Sequence, residues 1–319
     1  MTAFGLAIEN FTPESKVPSF DEIFDYAAMA ESLGFDSLWA WDHLFLGARR
    51  PFPFLESLTV LTALAVKTDR IALGTGVLVL PIRDPVLLAK SSAALQDLSG
   101  GRLFLGMAAG WYEREFEATG VPFKRRGQIF ETNLSLLKRL WSEDDVTDAD
   151  EVGDRRLTHV RMLPRPKVRP RVLVGGYVDR VLRRVGRMGD GWITYFYEAS
   201  SFEHAWGKVL AFAEEEGRDP ATVTNVAQLP LCIDRSYEVA TKRAYDFVAE
   251  YFDCAEWSES TPESAIRGTP EQCAEQIAAH LAVGAQHLVF VPCNYEAEQV
   301  HRLASEVLPL LSARRAPAA

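Results

Sequence analysis

Three adjacent residues carry the first chemical signal. Trp41-Asp42-His43 places a carboxylate beside an imidazole at the end of an apolar run. Successive residues of an extended chain point to opposite sides, so one of the pair faces a site there and the other the wall behind it. Imidazole titrates near neutrality and can take or give a proton. The pair also has a plain structural use, with Asp42 capping the following loop and His43 buried. Gly74-Thr75-Gly76-Val77 interrupts a run rich in Ile, Leu and Val. Glycine weakens a strand, so it marks a bulge, a bend or a close backbone approach by a ligand. Ala108-Ala109-Gly110-Trp111 and Gly175-Gly176 are small-residue turns ahead of helical segments. Exposed N–H groups in such turns bind phosphate or another anion, or simply turn the chain. Tyr245, Phe247, Tyr251, Phe252 and Trp257 crowd one segment, as a core stripe or as a lid over a planar ligand.

The elements that must position these residues alternate along the chain. Apolar runs read as strands at 4–8, 35–41, 70–80, 102–107, 171–174, 191–196, 223–233 and 287–291. Amphipathic segments follow them at 20–33, 54–66, 85–98, 128–141, 179–188, 202–216, 238–252, 271–282 and 298–311. Gly34 closes the first helix, and Thr269-Pro270 opens the helix at 271 as a cap followed by an N1 proline. Near-continuous apolar strands are those of a parallel sheet buried on both faces. Eight strand–helix units in order predict an α/β fold, a (β/α)8 TIM barrel occupying 1–319 as one domain, with insertions near 142–170 and 234–268. An open doubly wound sheet is the weaker alternative, because eight consecutive units leave no point for the strand order to reverse. No G-x-G-x-x-G follows the first strand, so a Rossmann dinucleotide site is not supported. In a barrel the chemistry sits at the C-terminal ends of the strands, which is where the residues above fall.

Composition excludes several classes. Hydrophobic residues make up 48% and charged residues 24% of 319, which rules out disordered and collagen-like chains. A net charge of −10 repels phosphate backbones, so no nucleic-acid partner is expected. No apolar run approaches the roughly 20 residues of a membrane span, and no basic leader precedes Glu9, so a cytoplasmic protein is expected. Cys232, Cys254, Cys273 and Cys293 form no C-x-x-C, and no histidine stands at zinc spacing, so no metal site is assigned.

The segments SLWAWDHL, IALGTGVLVLPIRDPVLLAKSSAALQDLSGGRLFLGMAAGWYEREF, RRGQIFETNLSLLKRLW, VLVGGY and GDGW resemble, in order, the luciferase-like flavin and deazaflavin oxidoreductases. That resemblance implies a barrel with a flavin-type ring at its C-terminal mouth, and a homodimer. One branch of the family uses reduced FMN and oxygen; the other uses the deazaflavin coenzyme F420 for hydride transfer. The stretch from Trp39 to His43 is more similar to the second branch. By the same resemblance a cis peptide bond backs the ring at Gly76–Val77, and Asp42 binds the ring. His43 acts as general acid/base with Glu115 at a downstream acidic position. Ala109 and Gly110 contact the ring or its ribityl chain, and Gly175, Gly176 and Tyr177 hold the phosphate. The deazaflavin-dependent sugar-phosphate dehydrogenases carry a Glu where Trp111 stands here, so a less polar substrate is implied, lined by Trp41, Trp111 and Tyr195. The expected function is hydride transfer between coenzyme F420 and a small, largely apolar organic molecule through a C=C, C=N or alcohol group. The alternatives are an FMN-dependent monooxygenase, with a flavin or F420 reductase as partner, and a non-catalytic flavin-binding protein.

Overall fold

The computed structural model describes residues 2–13, 16–47, 51–149, 155–195, 197–252 and 261–315. Its strands are β1 (Ala3–Ala7), β2 (Ser37–Ala40), β3 (Ala72–Val79), β4 (Leu103–Ala108), β5 (Val146–Ala149), β6 (Arg156–Val160), β7 (Arg171–Gly175), β8 (Gly191–Tyr195), β9 (Thr224–Ile233), β10 (Ile266–Gly268) and β11 (His287–Pro292). The α-helices are α1 (Phe20–Ser32), α2 (Ser57–Lys67), α3 (Pro85–Leu98), α4 (Glu113–Thr119), α5 (Arg126–Ser142), α6 (Asp179–Met188), α7 (Ala199–Glu215), α8 (Tyr237–Tyr251), α9 (Pro270–Ala282), α10 (Ala297–Arg302) and α11 (Leu308–Arg315). Strands pair in parallel in the order β1-β2-β3-β4-β7-β8-β9-β11, and β11 returns to β1. The ring closes, giving a (β/α)8 barrel and excluding an open doubly wound sheet. β9 is long enough to pair with β8 at its start, β11 in its middle and β10 at its end. Among the described residues no helix is long and apolar enough to cross a membrane.

Local sequence chemistry starts and stops these elements. Asp84 caps α3 by accepting from the N–H groups of Val86 and Leu87, with Pro85 at the first helical position. Thr269 and Gln272 form a reciprocal capping box on α9. Gly34 takes a φ of 85° after α1, a conformation open to glycine at no steric cost. The chain between α5 and β7 carries the antiparallel β5–β6 hairpin. The stretch 234–268 holds the barrel helix α8 as well as the short added strand β10. The final helical stretch is α10 and α11 joined by a π-helical turn at Leu303–Val307.

Two apolar layers hold the barrel. The outer one lies between strands and helices: Trp192 of β8 stacks on Phe202 and Trp206 of α7 at 5.3 and 6.4 Å. The inner layer fills the barrel with alternate strand residues, among them Trp39, Phe104, Leu173, Ile193, Val226 and Val289. Gly74 makes room for Trp39, because a Cβ there would lie 2.4 Å from the indole Cε3. Below the indole, Trp39 Nε1 donates to Ser37 Oγ (2.7 Å), and the same hydroxyl lies 2.7 Å from His287 Nε2. Burial lowers the His287 pKa to about 4, so the ring is neutral in the fold near pH 7.

Candidate functional site

β2 ends at Ala40, so Trp41, Asp42 and His43 stand just past it, and each goes its own way. Trp41 is buried. Its N–H donates to Asn10 Oδ1 (2.8 Å), its indole Nε1 donates to the Tyr295 hydroxyl (2.9 Å), and its ring packs on Phe11 and Phe252. It belongs to an aromatic wall with Tyr251 and Phe247 on one side of the mouth. The segment suggested above as stripe or lid thus packs its Phe247, Tyr251 and Phe252 into the core, while Tyr245 is exposed and Trp257 lies outside the described residues.

Asp42 is 5% exposed and accepts from three donors: Ser57 Oγ (2.8 Å), the Val79 N–H (3.0 Å) and the Arg83 guanidinium. Arg83 also reaches Glu56 at 3.0 Å. Burial alone would lower the Arg83 pKa; the carboxylates of Asp42 and Glu56 outweigh it and hold the pKa above its ordinary value. The network ties the end of β2 to the end of β3 and the start of α2.

His43 turns toward the mouth. Its Nδ1 lies 3.0 Å from Glu115 Oε2, and the Leu44 N–H donates to Glu115 Oε1 at 2.6 Å. Glu115, in the first turn of α4, is fully buried. A carboxylate only accepts, so the hydrogen sits on Nδ1 and fixes the tautomer. Nε2 has no hydrogen-bond partner among the described residues. The rings of Phe54 and Trp111 stand edge-on to the imidazole, each at 5.6 Å.

The neighbouring strand, β3, is the interrupted one. The β3–β4 register shifts between Thr75 and Leu78, a bulge, and the Gly76–Val77 peptide bond is cis. Val77 is partly exposed and packs near Gly175, where an added Cβ would lie 3.2 Å from Val77 Cγ1. Gly110 has a φ of 80°, and a Cβ there would meet Val79 Cγ1 at 2.6 Å. Arg126 Nε donates to the Gly110 carbonyl (3.0 Å), and its guanidinium lies over the Phe123 ring. Burial and the nearby positive charge of Arg180 lower the Arg126 pKa. Gly176, with a φ of 136°, precedes α6, whose N-cap Val178 supplies no side-chain partner to the first-turn N–H groups. Asp179 in that turn is paired with Lys208 at 2.8 Å. Tyr177 donates its hydroxyl to the Tyr195 carbonyl (2.8 Å) and lies against the Tyr195 and Tyr197 rings. Burial raises the Tyr177 pKa well above the usual phenol range.

The structure therefore joins Asp42 to the β3 end at Val79, His43 to Glu115 and Trp111, Val77 to Gly175, and Tyr177 to Tyr195. Trp41 stands apart in the aromatic wall. Sequence reasoning missed Ser57, Arg83, Arg126 and Gln228. Arg83 had a signal, being a cation directly ahead of the Asp-Pro that starts α3. Among the described residues no cluster could hold a metal ion, and Cys232, Cys273 and Cys293 are buried free thiols. Cys254 lies outside the described residues.

A family model described as luciferase-like monooxygenase matches residues 2–287. The chain belongs to that family. Among luciferase-like relatives, an uncharacterised protein of Mycobacterium tuberculosis is 32% identical over 166 residues, so the match spans 52% of this chain and little more than half (57%) of that relative. An F420-dependent glucose-6-phosphate dehydrogenase of Amycolatopsis mediterranei is 27% identical over 325 residues, 92% of this chain and 95% of the relative. Two solved structures share the fold. An F420-dependent secondary alcohol dehydrogenase in complex with an F420-acetone adduct superposes with a TM-score of 0.80 at 18% identity, over 97% of this chain and 99% of that one. The oxygenating constituent of 3,6-diketocamphane monooxygenase of Pseudomonas putida, in complex with FMN, gives 0.79 at 17% identity over 97% and 98%.

Proposed function

We propose that this chain is an oxidoreductase that moves a hydride between coenzyme F420 and a small, largely apolar organic substrate. The observation that carries the reading is the His43–Glu115 dyad, its Nε2 free of hydrogen-bond partners among the described residues, beside an aromatic mouth and the bulged Gly76–Val77 strand. The F420 dependence of the Amycolatopsis relative, matched over nearly its whole length, supports the choice of coenzyme.

The residues present fit such a group. Val77, partly exposed on the bulged strand with the Gly175 backbone against its side chain, suits one face of a planar ring. The N-terminus of α6 with Arg180 and Arg126 suits an anionic tail, and Gly175-Gly176 leads into it. When bound, the deazaflavin supplies a ring carbon that accepts or gives hydride. Glu115 orients the imidazole and fixes its tautomer, so Nε2 is the atom that takes the proton of an alcohol or, once protonated, gives one to a reduced double bond. Phe54 and Trp111 wall off water on either side of it. Asp42, already committed to three donors, acts as the brace for the β3 end. Trp111, at the place of the sugar-phosphate dehydrogenases' Glu, favours an apolar substrate over a sugar phosphate.

The experiment is an anaerobic screen of enones, imines and secondary alcohols, followed by the absorbance of oxidised or reduced F420. Turnover without oxygen is the expected result. Turnover found only with reduced FMN and oxygen would replace this reading by the monooxygenase one.

A further inference from the structure

Gly74 and Gly76 lie two residues apart on the inward face of β3. The space beside Gly74 is filled by Trp39, and the space beside Gly76 by the side chain of Gln228. Gln228 comes from β9, which stands four strands from β3 in either direction round the barrel. Its carboxamide therefore crosses the interior and forms a polar layer above the Trp39 layer, next to the partly exposed Val77. Gln228 is 1% exposed. Its Nε2 stands 3.5 Å from the Gly76 carbonyl oxygen, and a Cβ on Gly76 would lie 2.7 Å from Oε1. Turning the amide over would set two oxygens against each other. Oε1 is buried with no hydrogen-bond partner among the described residues. A buried acceptor without a donor works against folding, so its presence calls for a use.

We infer that Gln228 reads the imide edge of the ring, Oε1 accepting from the ring's imide N–H. Flavin and deazaflavin rings share this edge, one N–H between two carbonyl oxygens. A carboxamide is its complement, offering an acceptor beside a donor. The inference rests on the proposed flavin-type coenzyme, and makes Gln228 a cofactor-binding residue that serves either ring.

The test is a set of fluorescence titrations with F420, FMN and FMN methylated at the imide nitrogen. Wild type and Gln228→Met are compared, methionine being unbranched and of similar length. Gln228→Met should weaken the parent coenzyme roughly ten-fold or more, the effect of an unpaired buried donor. Methylation should weaken wild-type binding by a similar factor and leave Gln228→Met nearly unchanged. The apo variant should melt at or above the wild-type temperature, since an orphaned acceptor has gone. Parent binding within two-fold in wild type and Gln228→Met overturns the inference and leaves the oxidoreductase reading standing. Wild type binding neither coenzyme overturns both. The methylated probe needs only wild-type protein, so equal affinity for it and for FMN overturns the inference even where Gln228→Met fails to fold.

Discussion

Replacing Asp42 by Ala separates two roles for that carboxylate. If it braces the fold, its loss strands the Val79 N–H and leaves Arg83, which is largely buried, with only the Glu56 carboxylate. Removing one partner of a buried ion pair costs about 3–5 kcal/mol. Unfolding entropy of about 2.1 cal/mol/K per residue over 319 residues amounts to ~0.7 kcal/mol/K. The apo protein should therefore melt about 4–7 °C lower. Asp42→Asn keeps one acceptor oxygen, for Ser57 and Arg83 or for Val79, and turns an NH2 toward the remaining donor, so it should melt well below wild type and near Asp42→Ala. Differential scanning calorimetry of the three ligand-free proteins measures this directly. A carboxylate reserved for the ring would behave otherwise: the apo melting temperature would stay within about 1 °C, and only coenzyme affinity would drop. That outcome refutes the bracing argument.

Other expectations follow from the same contacts. Glu115→Gln removes the charge-assisted bond to His43 Nδ1, and should lower kcat about 10- to 100-fold on any substrate the wild type turns over, with coenzyme Kd unchanged within a factor of two. An unaltered kcat would remove Glu115 from the orienting role. His287 is neutral in the fold, with its pKa lowered from 6.5 to about 4 by burial. The unfolded chain therefore takes up its proton first as pH falls. Stability is full above pH 6.5 and declines as pH drops toward 4, by up to about 3 kcal/mol at ~1.36 kcal/mol per unit. Urea denaturation at several pH values should show this slope flattened in His287→Gln, and an equal slope in both proteins would exclude His287 as its source. Gly106→Ala would put a Cβ 2.1 Å from the Thr75 carbonyl oxygen, a backbone atom with no freedom to move away. It should give insoluble or strongly destabilised protein, and normal melting would show that β3 can shift from β4.

Much of the fold was legible because a parallel barrel repeats one pattern. Each strand is an apolar run and each helix an amphipathic one, and Thr269-Pro270 and Gly34 mark ends by local chemistry alone. The bulge at Gly74–Val77 was legible for the same reason, as glycines in a β-branched run have few uses. The roles of side chains at the mouth were not. Asp42 finds Ser57 15 residues away, Val79 37 away and Arg83 41 away, and no local pattern records such pairings. Trp41 was expected at the substrate, yet Asn10 and Tyr295 draw it into the aromatic wall. Gln228 sits between Ala227 and Leu229 in the apolar part of β9, and its partner Gly76 is 152 residues away. Within 234–268 the described residues carry α8, a 3-10 turn at Thr261–Ser264 and β10 ahead of α9, an order that a plain strand–helix repeat does not foretell.

The most direct test of the oxidoreductase reading is a side-by-side fluorescence titration of the purified protein with F420 and FMN. The account predicts micromolar binding of F420, weaker binding of FMN, and unchanged F420 binding in His43→Ala, which removes the proton-handling group and not the ring's supports. A preference for FMN, or binding of neither coenzyme, would contradict it.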